Sequence, residues 1–183
     1  MRKSTLRVLV VLTLLLSLSA CGGTALMKPS TPMEPGGDYA VINIMRPSNF
    51  ASAIQFGIWD RETFVGILTR SSIIQYKAAP GEHLIMARAE NWSSVKATVD
   101  AGKNYYILAE PRMGAWKARV SLSVVQPDDK RLTKWTRVKK IEVDESKLGS
   151  YIQDRVESVK AAAAKYDSGE EAVTDTLNPT DGK

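Results

Sequence analysis

Val95-Lys96-Ala97-Thr98-Val99-Asp100 alternates apolar and polar residues without a break, and Ala101-Gly102-Lys103 then turns the chain into the apolar run Tyr105-Tyr106-Ile107-Leu108-Ala109-Glu110. A period of two is that of an extended strand with one face buried and one face wet. Arg119-Val120-Ser121-Leu122-Ser123-Val124 repeats the pattern. Outward from this pair, short apolar runs rich in Ile and Val recur between turn residues. Tyr39–Met45, Ile54–Trp59, Thr63–Leu68, Ser72–Tyr76 and His83–Ala89 each read as a strand. Asp60-Arg61-Glu62 is a polar turn between two of them. Ala79-Pro80-Gly81-Glu82 has type II turn chemistry, because proline presets φ at its second position and glycine admits φ > 0 at its third. Pro127 to Trp135 is expected to hold one short helix, and Val138–Val143 to be a last edge strand. Strands at this spacing imply a mainly β fold, a sandwich or a small barrel, over residues 39–144.

The period then changes. Leu148, Ile152, Val156, Val159, Ala163 and Tyr166 recur every three or four residues, which places one apolar stripe on an appended C-terminal amphipathic helix over 145–167. Asp144 or Ser146 stands where a cap is expected, and Gly169 where the helix ends. The stripe is expected to pack on the sheet, with docking of a partner as the other use. Residues 168–183 are polar, with Gly169, Pro179 and Gly182, and read as a disordered tail. Residues 21–38 are rich in Gly, Pro, Ser and Thr and read as a flexible tether.

The N-terminus, residues 1–20, has the arrangement of a signal peptide. Arg2, Lys3 and Arg7 precede an apolar stretch from Val8 to Leu18 that Thr13 and Ser17 interrupt. That stretch is shorter than the roughly 20 residues a permanent span requires. Leu18-Ser19-Ala20-Cys21-Gly22 resembles the bacterial lipobox. The resemblance implies cleavage before Cys21, a diacylglycerol thioether on its sulfur and an N-acyl chain on its new amine. Each buried methylene of those chains contributes about 0.8 kcal/mol, so such an anchor holds permanently. Gly22 in place of Asp, by resemblance to the enterobacterial sorting rule, implies the outer membrane, with the domain on the periplasmic side. Cys21 is the only cysteine, so no disulfide supports the fold. The full chain carries 25 Lys+Arg against 20 Asp+Glu, or +5; loss of Arg2, Lys3 and Arg7 with the signal lowers this to +2. A net charge so small gives no basis for nucleic-acid binding.

Candidate chemistry is sparse. The single histidine, His83, follows the Pro80-Gly81 turn, and neither a spare cysteine nor a second histidine accompanies it, which argues against a transition-metal site. No Gly-x-Ser-x-Gly elbow and no phosphate-cradling glycine loop occur in the fold, so His83 reads as structural. Lys134, Arg137, Lys139 and Lys140, with Lys130 and Arg131, form a local basic cluster. It reads first as a solvated strand edge and second as a face for anionic headgroups or a polyanionic envelope polymer. Trp92, in Asn91-Trp92-Ser93-Ser94, is expected in a hairpin turn, and Trp116 follows the Met113-Gly114-Ala115 loop. Exposed aromatic rings can stack on sugars or anchor protein contacts, although packing at the rim is the plainer reading of both.

Phe64-Val65-Gly66, then Ala79-Pro80-Gly81-Glu82-His83, then Ala101-Gly102-Lys103-Asn104-Tyr105-Tyr106 resembles a family of bacterial envelope lipoproteins with an uncharacterised β-domain. The shared frame is a Pro-Gly-x-His turn followed about 20 residues later by a Gly-x-x-Tyr-Tyr strand. The same frame is similar to small β-sandwich modules of the surface-layer and carboxypeptidase-regulatory type. The resemblance implies one immunoglobulin-like or transthyretin-like sandwich in the cell envelope, and it brings no catalytic residue with it. The expected function is therefore that of a lipid-anchored, non-catalytic binding or scaffold module. It needs no cofactor beyond its covalent lipid, and it acts through an envelope protein partner or self-association. The alternative is a glycan-binding module, for peptidoglycan or lipopolysaccharide, that uses Trp92 and Trp116.

Overall fold

A computed structural model describes residues 24–114 and 118–183 of the chain. Cys21, with residues 1–20 expected to be a signal peptide, and Trp116 lie outside the described residues. The strands are β1 (Met27–Pro29), β2 (Ala40–Arg46), β3 (Phe56–Asp60), β4 (Thr63–Leu68), β5 (Ser72–Ala78) and β6 (Gly81–Arg88), then β7 (Trp92–Val99), β8 (Asn104–Met113), β9 (Ala118–Val124), β10 (Lys139–Val143) and β11 (Asp175–Leu177). Among the described residues they form a six-stranded sheet, β1-β10-β5-β2-β8-β9, and a five-stranded sheet, β11-β7-β6-β3-β4. The two stack as a β-sandwich-like domain with little helix.

The alternation works as expected at the sheet faces. In β7, Val95, Ala97 and Val99 enter the core between the sheets while Lys96 is exposed. In β9, Val120 and Leu122 do the same from the other side. β2 is different, since all seven of its residues are buried. It pairs antiparallel with β5 and parallel with β8, and both of its faces are covered. Ile42 and Ile44 face the core, whereas Met45 faces a second apolar cluster with Ile73, Leu108 and Leu132. The short helix α1 (Leu132–Trp135) supplies the cover for that outer face. A strand buried on both faces reads as a continuous apolar run, and Ala40–Met45 does.

The outer face of the five-stranded sheet is covered by α2 (Val156–Asp167). Val159, Ala162 and Ala163 pack on Trp59, Leu84 and Met86, so the apolar stripe of the helix is used within the domain. The regular helix begins at Val156, eleven residues later than the periodicity predicts. Glu145–Lys147 make a single 3₁₀ turn, and Gly149 follows at φ 49, a left-handed conformation that interrupts an α-helical ladder. Ile152 nevertheless packs into the same cluster as α2. The stripe was legible, but the glycine within it divides it into turns and helix.

Both chain ends depart from expectation. Residues 21–38 were expected as a flexible tether, yet β1 pairs antiparallel with β10 and Met33 exchanges two hydrogen bonds with Gln75 (2.8 and 3.0 Å). Proline fits here because β1 is an edge strand, where its missing N–H is not required. β10 is accordingly not an edge, since it lies between β1 and β5. Residues 168–183 were expected to be disordered. Instead β11 pairs in parallel with β7, Leu177 is completely buried, and Asn104 and Lys183 exchange backbone hydrogen bonds of 2.7 and 3.2 Å. One apolar residue docked in a core holds a polar segment that composition alone assigns to solvent.

Leu177→Ala is expected to lower the unfolding free energy by about 2–4 kcal/mol, the usual cost of emptying a buried leucine site. Its exposed neighbour in Thr176→Ala should change little. Urea unfolding of both variants checks this, and an unchanged midpoint for the leucine variant would show the C-terminal strand to be undocked.

Candidate functional site

The basic residues named from the sequence lie along one stretch of chain, from α1 to the start of β10. Lys134 and Arg137 are exposed at α1 and just after it, and Lys139 is exposed at the start of β10. None of the three makes an ion pair among the described residues. Lys140 is partly buried and donates to the Thr136 carbonyl at 3.2 Å. Lys134 borders a small cavity of about 340 Å³ with Trp135 and Val138. Trp92 is the first residue of β7 and not the tip of a turn. It is half-buried in the cluster under α2, with the Arg88 guanidinium 5.4 Å from its ring.

His83 sits in a hydrogen-bonded group that joins the two sheets. Its Nδ1 is 2.6 Å from Asp60 Oδ2, and its Nε2 is 2.8 Å from the Ala79 carbonyl. Asp60 Oδ2 also accepts from the Tyr76 hydroxyl at 2.9 Å, and Oδ1 from the Leu84 N–H at 3.2 Å. Both imidazole nitrogens face acceptors, an arrangement that favours the doubly protonated, cationic ring. The bond to Asp60 raises the His83 pKa, against an opposing effect of burial. Burial pushes the Asp60 carboxyl up, but the hydrogen bonds and charge of His83, with Tyr76 and Leu84, outweigh it and hold the group below its ordinary value. Burial and the Asp60 charge raise Tyr76. With both ring nitrogens engaged, His83 fixes the Ala79-Pro80 crossover between β5 and β6.

A larger feature was not legible in the sequence. A cleft of about 1100 Å³ opens where the outer face of β3 and β6 meets the turns before α2. Gly57 forms its floor, opposite Arg88 in the register of β3 and β6. A methyl group at Gly57 would lie 3.4 Å from Trp59 Nε1 and 3.7 Å from the Tyr151 hydroxyl, so the missing side chain leaves the gap between these two donors. Trp59 is 1% exposed, and its indole N–H has no hydrogen-bond partner among the described residues. The ring series Trp59–Phe64–Tyr151, with centroids 4.9 and 5.1 Å apart, holds the wall in place.

Two arginines stand at the rim. Arg155 lies 3.8 Å over the Tyr151 ring and donates to the Tyr151 carbonyl at 3.0 Å. Arg88 donates to Ser158 Oγ at 2.8 Å. Neither is paired with a carboxylate among the described residues. Burial raises the Tyr151 pKa, and the two guanidiniums offset part of that rise. Asp154, which accepts from Ser150 at 2.9 Å, and Glu90 are the acids on the lining. Behind the cleft, the fully buried Arg46 donates to the carbonyls of Ile54 (2.6 Å), Ala51 (2.8 Å) and Phe50 (3.0 Å), which shapes the loop that supplies Ile54 and Gln55 to the wall. Chemically the cleft offers an indole N–H, a phenol and two guanidiniums to one acceptor-rich guest.

No family model matches the chain, and no curated protein matches its sequence.

The paired shifts at His83 and Asp60 give a signed pH dependence. The cationic histidine stabilises the fold fully below its ordinary value of 6.5 and loses that contribution as pH rises through its elevated native value. The carboxylate contributes fully above its ordinary 3.8 and loses that contribution as pH falls through its depressed native value. Unfolding free energy should therefore decline as pH rises above 6.5. In His83→Gln that decline should vanish, together with about 3 kcal/mol of stability from breaking a buried pair. Denaturant titrations from pH 5 to 9 test it; an alkaline slope that survives the substitution would assign the effect to another group.

Proposed function

We propose that the protein is a lipid-anchored envelope lipoprotein whose sandwich serves as a non-catalytic binding module, and that it binds its partner in the cleft at Gly57. The observation that carries the reading is the Trp59 N–H. Its ring is packed, and its N–H edge opens on the cleft with no acceptor from the described residues, beside the guanidiniums of Arg88 and Arg155 and the Tyr151 hydroxyl, with Asp154 and Glu90 as the acids of the lining. Convergent polar groups in a concave site with aromatic walls are the usual form of a ligand pocket. Anchoring is supported by Leu18-Ser19-Ala20-Cys21, and Gly22 supports the outer membrane. The expected partner is an envelope component that presents acceptor or anionic groups.

The packing of α2 bears on which surface is used. Its apolar stripe lies against β3 and β6, so the part of the C-terminal arm left to meet a partner is the stretch from Tyr151 to Ser158. The glycan reading receives less support, because Trp92 is half-buried beneath Arg88 and lacks two free faces for stacking.

Cys21→Ser is expected to abolish incorporation of labelled palmitate and to leave the protein unanchored; continued labelling would exclude the lipobox. For the cleft, an aromatic photocrosslinker in place of Tyr151 should give defined adducts in cells, and one in place of Tyr39, at the other end of β2, should not. Gly57→Leu fills the floor and should reduce the adducts roughly tenfold, equivalent to about 1.4 kcal/mol. Equal yields from both positions, or no effect of filling the floor in a folded variant, would refute binding at this site.

A further inference from the structure

The point where the lipid joins the chain lies close to the cleft. Thr24 is three residues after Cys21, and three residues span at most about 11 Å when fully extended. From there the chain belongs to the domain. Asp144 donates to the Leu26 carbonyl at 2.8 Å, Leu26 is 7% exposed, and Met27 packs against the core. Leu26 is also a wall of the cleft, beside Ile67 and Leu148. A domain held so closely cannot stand away from its membrane, and the flank it turns toward the lipid is the one that carries the cleft.

Resting on the reading that Cys21 is lipidated and the cleft is a binding site, we infer that the cleft takes the phosphoethanolamine headgroup of a membrane phospholipid, so that the domain lies on the bilayer held by its acyl anchor and by one clasped headgroup. The phosphate matches Arg88, Arg155 and the Trp59 N–H, since guanidiniums and neutral donors are the usual partners of phosphate oxygens. The ammonium matches the acidic side of the lining at Asp154. This mixture of signs fits a zwitterion better than a bare anion. The apolar wall of Leu26, Ile67 and Leu148 lies on the anchor side, where the glycerol end of the lipid would enter. Affinity need not be high: an anchored protein meets the headgroups of its own membrane at millimolar or greater effective concentration, so a site with a Kd of about 1 mM is occupied.

The test uses the full lipidated protein, its anchor confirmed by intact mass, labelled with ¹⁵N-tryptophan in uncharged maltoside micelles. Glycerophosphoethanolamine is titrated while the Trp59 indole signal, assigned through Trp59→Phe, is followed. A saturating shift in the millimolar range is expected, weakened roughly tenfold in Arg155→Ala and in Arg88→Ala. Sodium phosphate at equal concentrations should bind several-fold more weakly. In phosphatidylethanolamine nanodiscs that contain a headgroup nitroxide lipid, the Trp59 signal should broaden while Trp135, on the outer face of the other sheet, stays sharp. Absence of any shift would overturn the headgroup assignment, and equal binding of free phosphate would reassign the site to a soluble anion. Broadening of Trp135 but not Trp59 would refute the orientation. If the headgroup fails while Tyr151 photoadducts persist, the binding reading stands and only its lipid ligand falls.

Discussion

Two stacked sheets leave a pair of open sides, where the core would meet water and edge strands would present unpaired backbone. Closing those sides is the constraint on which the rest of this fold depends. Here the chain ends close them. On one side, β1 extends the six-stranded sheet past β10 and brings Leu26 and Met27 against β4, the edge of the other sheet. The fit is close: a methyl at Gly66, whose φ of 147 already disfavours a side chain, would lie 2.9 Å from Met27 Cε and 3.0 Å from Ile74 Cδ1. On the other side, β11 extends the five-stranded sheet beside β7, Leu177 enters the core, and Asp175 accepts the Val124 N–H of β9 at 2.8 Å. That carboxylate bonds an edge amide of the opposite sheet, so the last strand joins the sheets as well as covering them.

Buried polar groups act at the two ends of the sandwich in a similar way. At one end Asp60, Tyr76 and His83 link the sheets through a charge-assisted bond and a phenol. At the other, the Arg46 guanidinium lies 4.5 Å from the Phe56 ring centroid and donates to three carbonyls of one loop, of which that of Ala51 also accepts the Ile54 N–H at 3.0 Å. Its charge meets carbonyls instead of a carboxylate, and burial lowers its pKa accordingly. Its Nε has no partner among the described residues. A planar five-donor group can organise an irregular loop where an ammonium could not. That loop is the wall behind Gly57, so the stability of this end and the shape of the cleft have one source.

The strands were legible because a half-buried strand writes its own period, and Val95–Val99 and Val120–Val124 have little choice of register. The helix was legible as a stripe but not in length, because Gly149 lies between stripe positions and a count of apolar spacings passes over it. The chain ends were misread for a more general reason. Composition predicts order from the apolar area a segment can bury by itself, and the terminal segments bury little. They are ordered by what others leave open: β10 offers an unpaired edge to Met27–Pro29, and the core offers one leucine-sized space to Leu177. The cleft was invisible for the same reason. Gly57, Arg88, Tyr151 and Arg155 are far apart in sequence, and their meeting follows from the β3–β6 register and from where the turns before α2 cross it. The one signal available in advance was a glycine in an otherwise apolar strand, a frequent mark of close approach by another group.

What makes the cleft more than a surface depression is how its donors are held. Arg155 rests on a tyrosine ring and a backbone carbonyl, and Arg88 on a serine hydroxyl whose own proton goes to the Arg155 carbonyl at 2.8 Å. These neutral partners restrain the side chains without neutralising them. An arginine paired with a carboxylate would have to break that pair to meet an anion, and a free one would lose rotamer entropy of about 0.5–1.5 kcal/mol on binding. Here most of that ordering has already occurred in the fold. Trp59 is fixed more firmly still, because its ring is part of the cluster under α2 and only its N–H edge reaches the cleft. Its donor direction is set by the same contacts that stabilise the outer layer, and an acceptor that reaches the floor over Gly57 meets it already aligned.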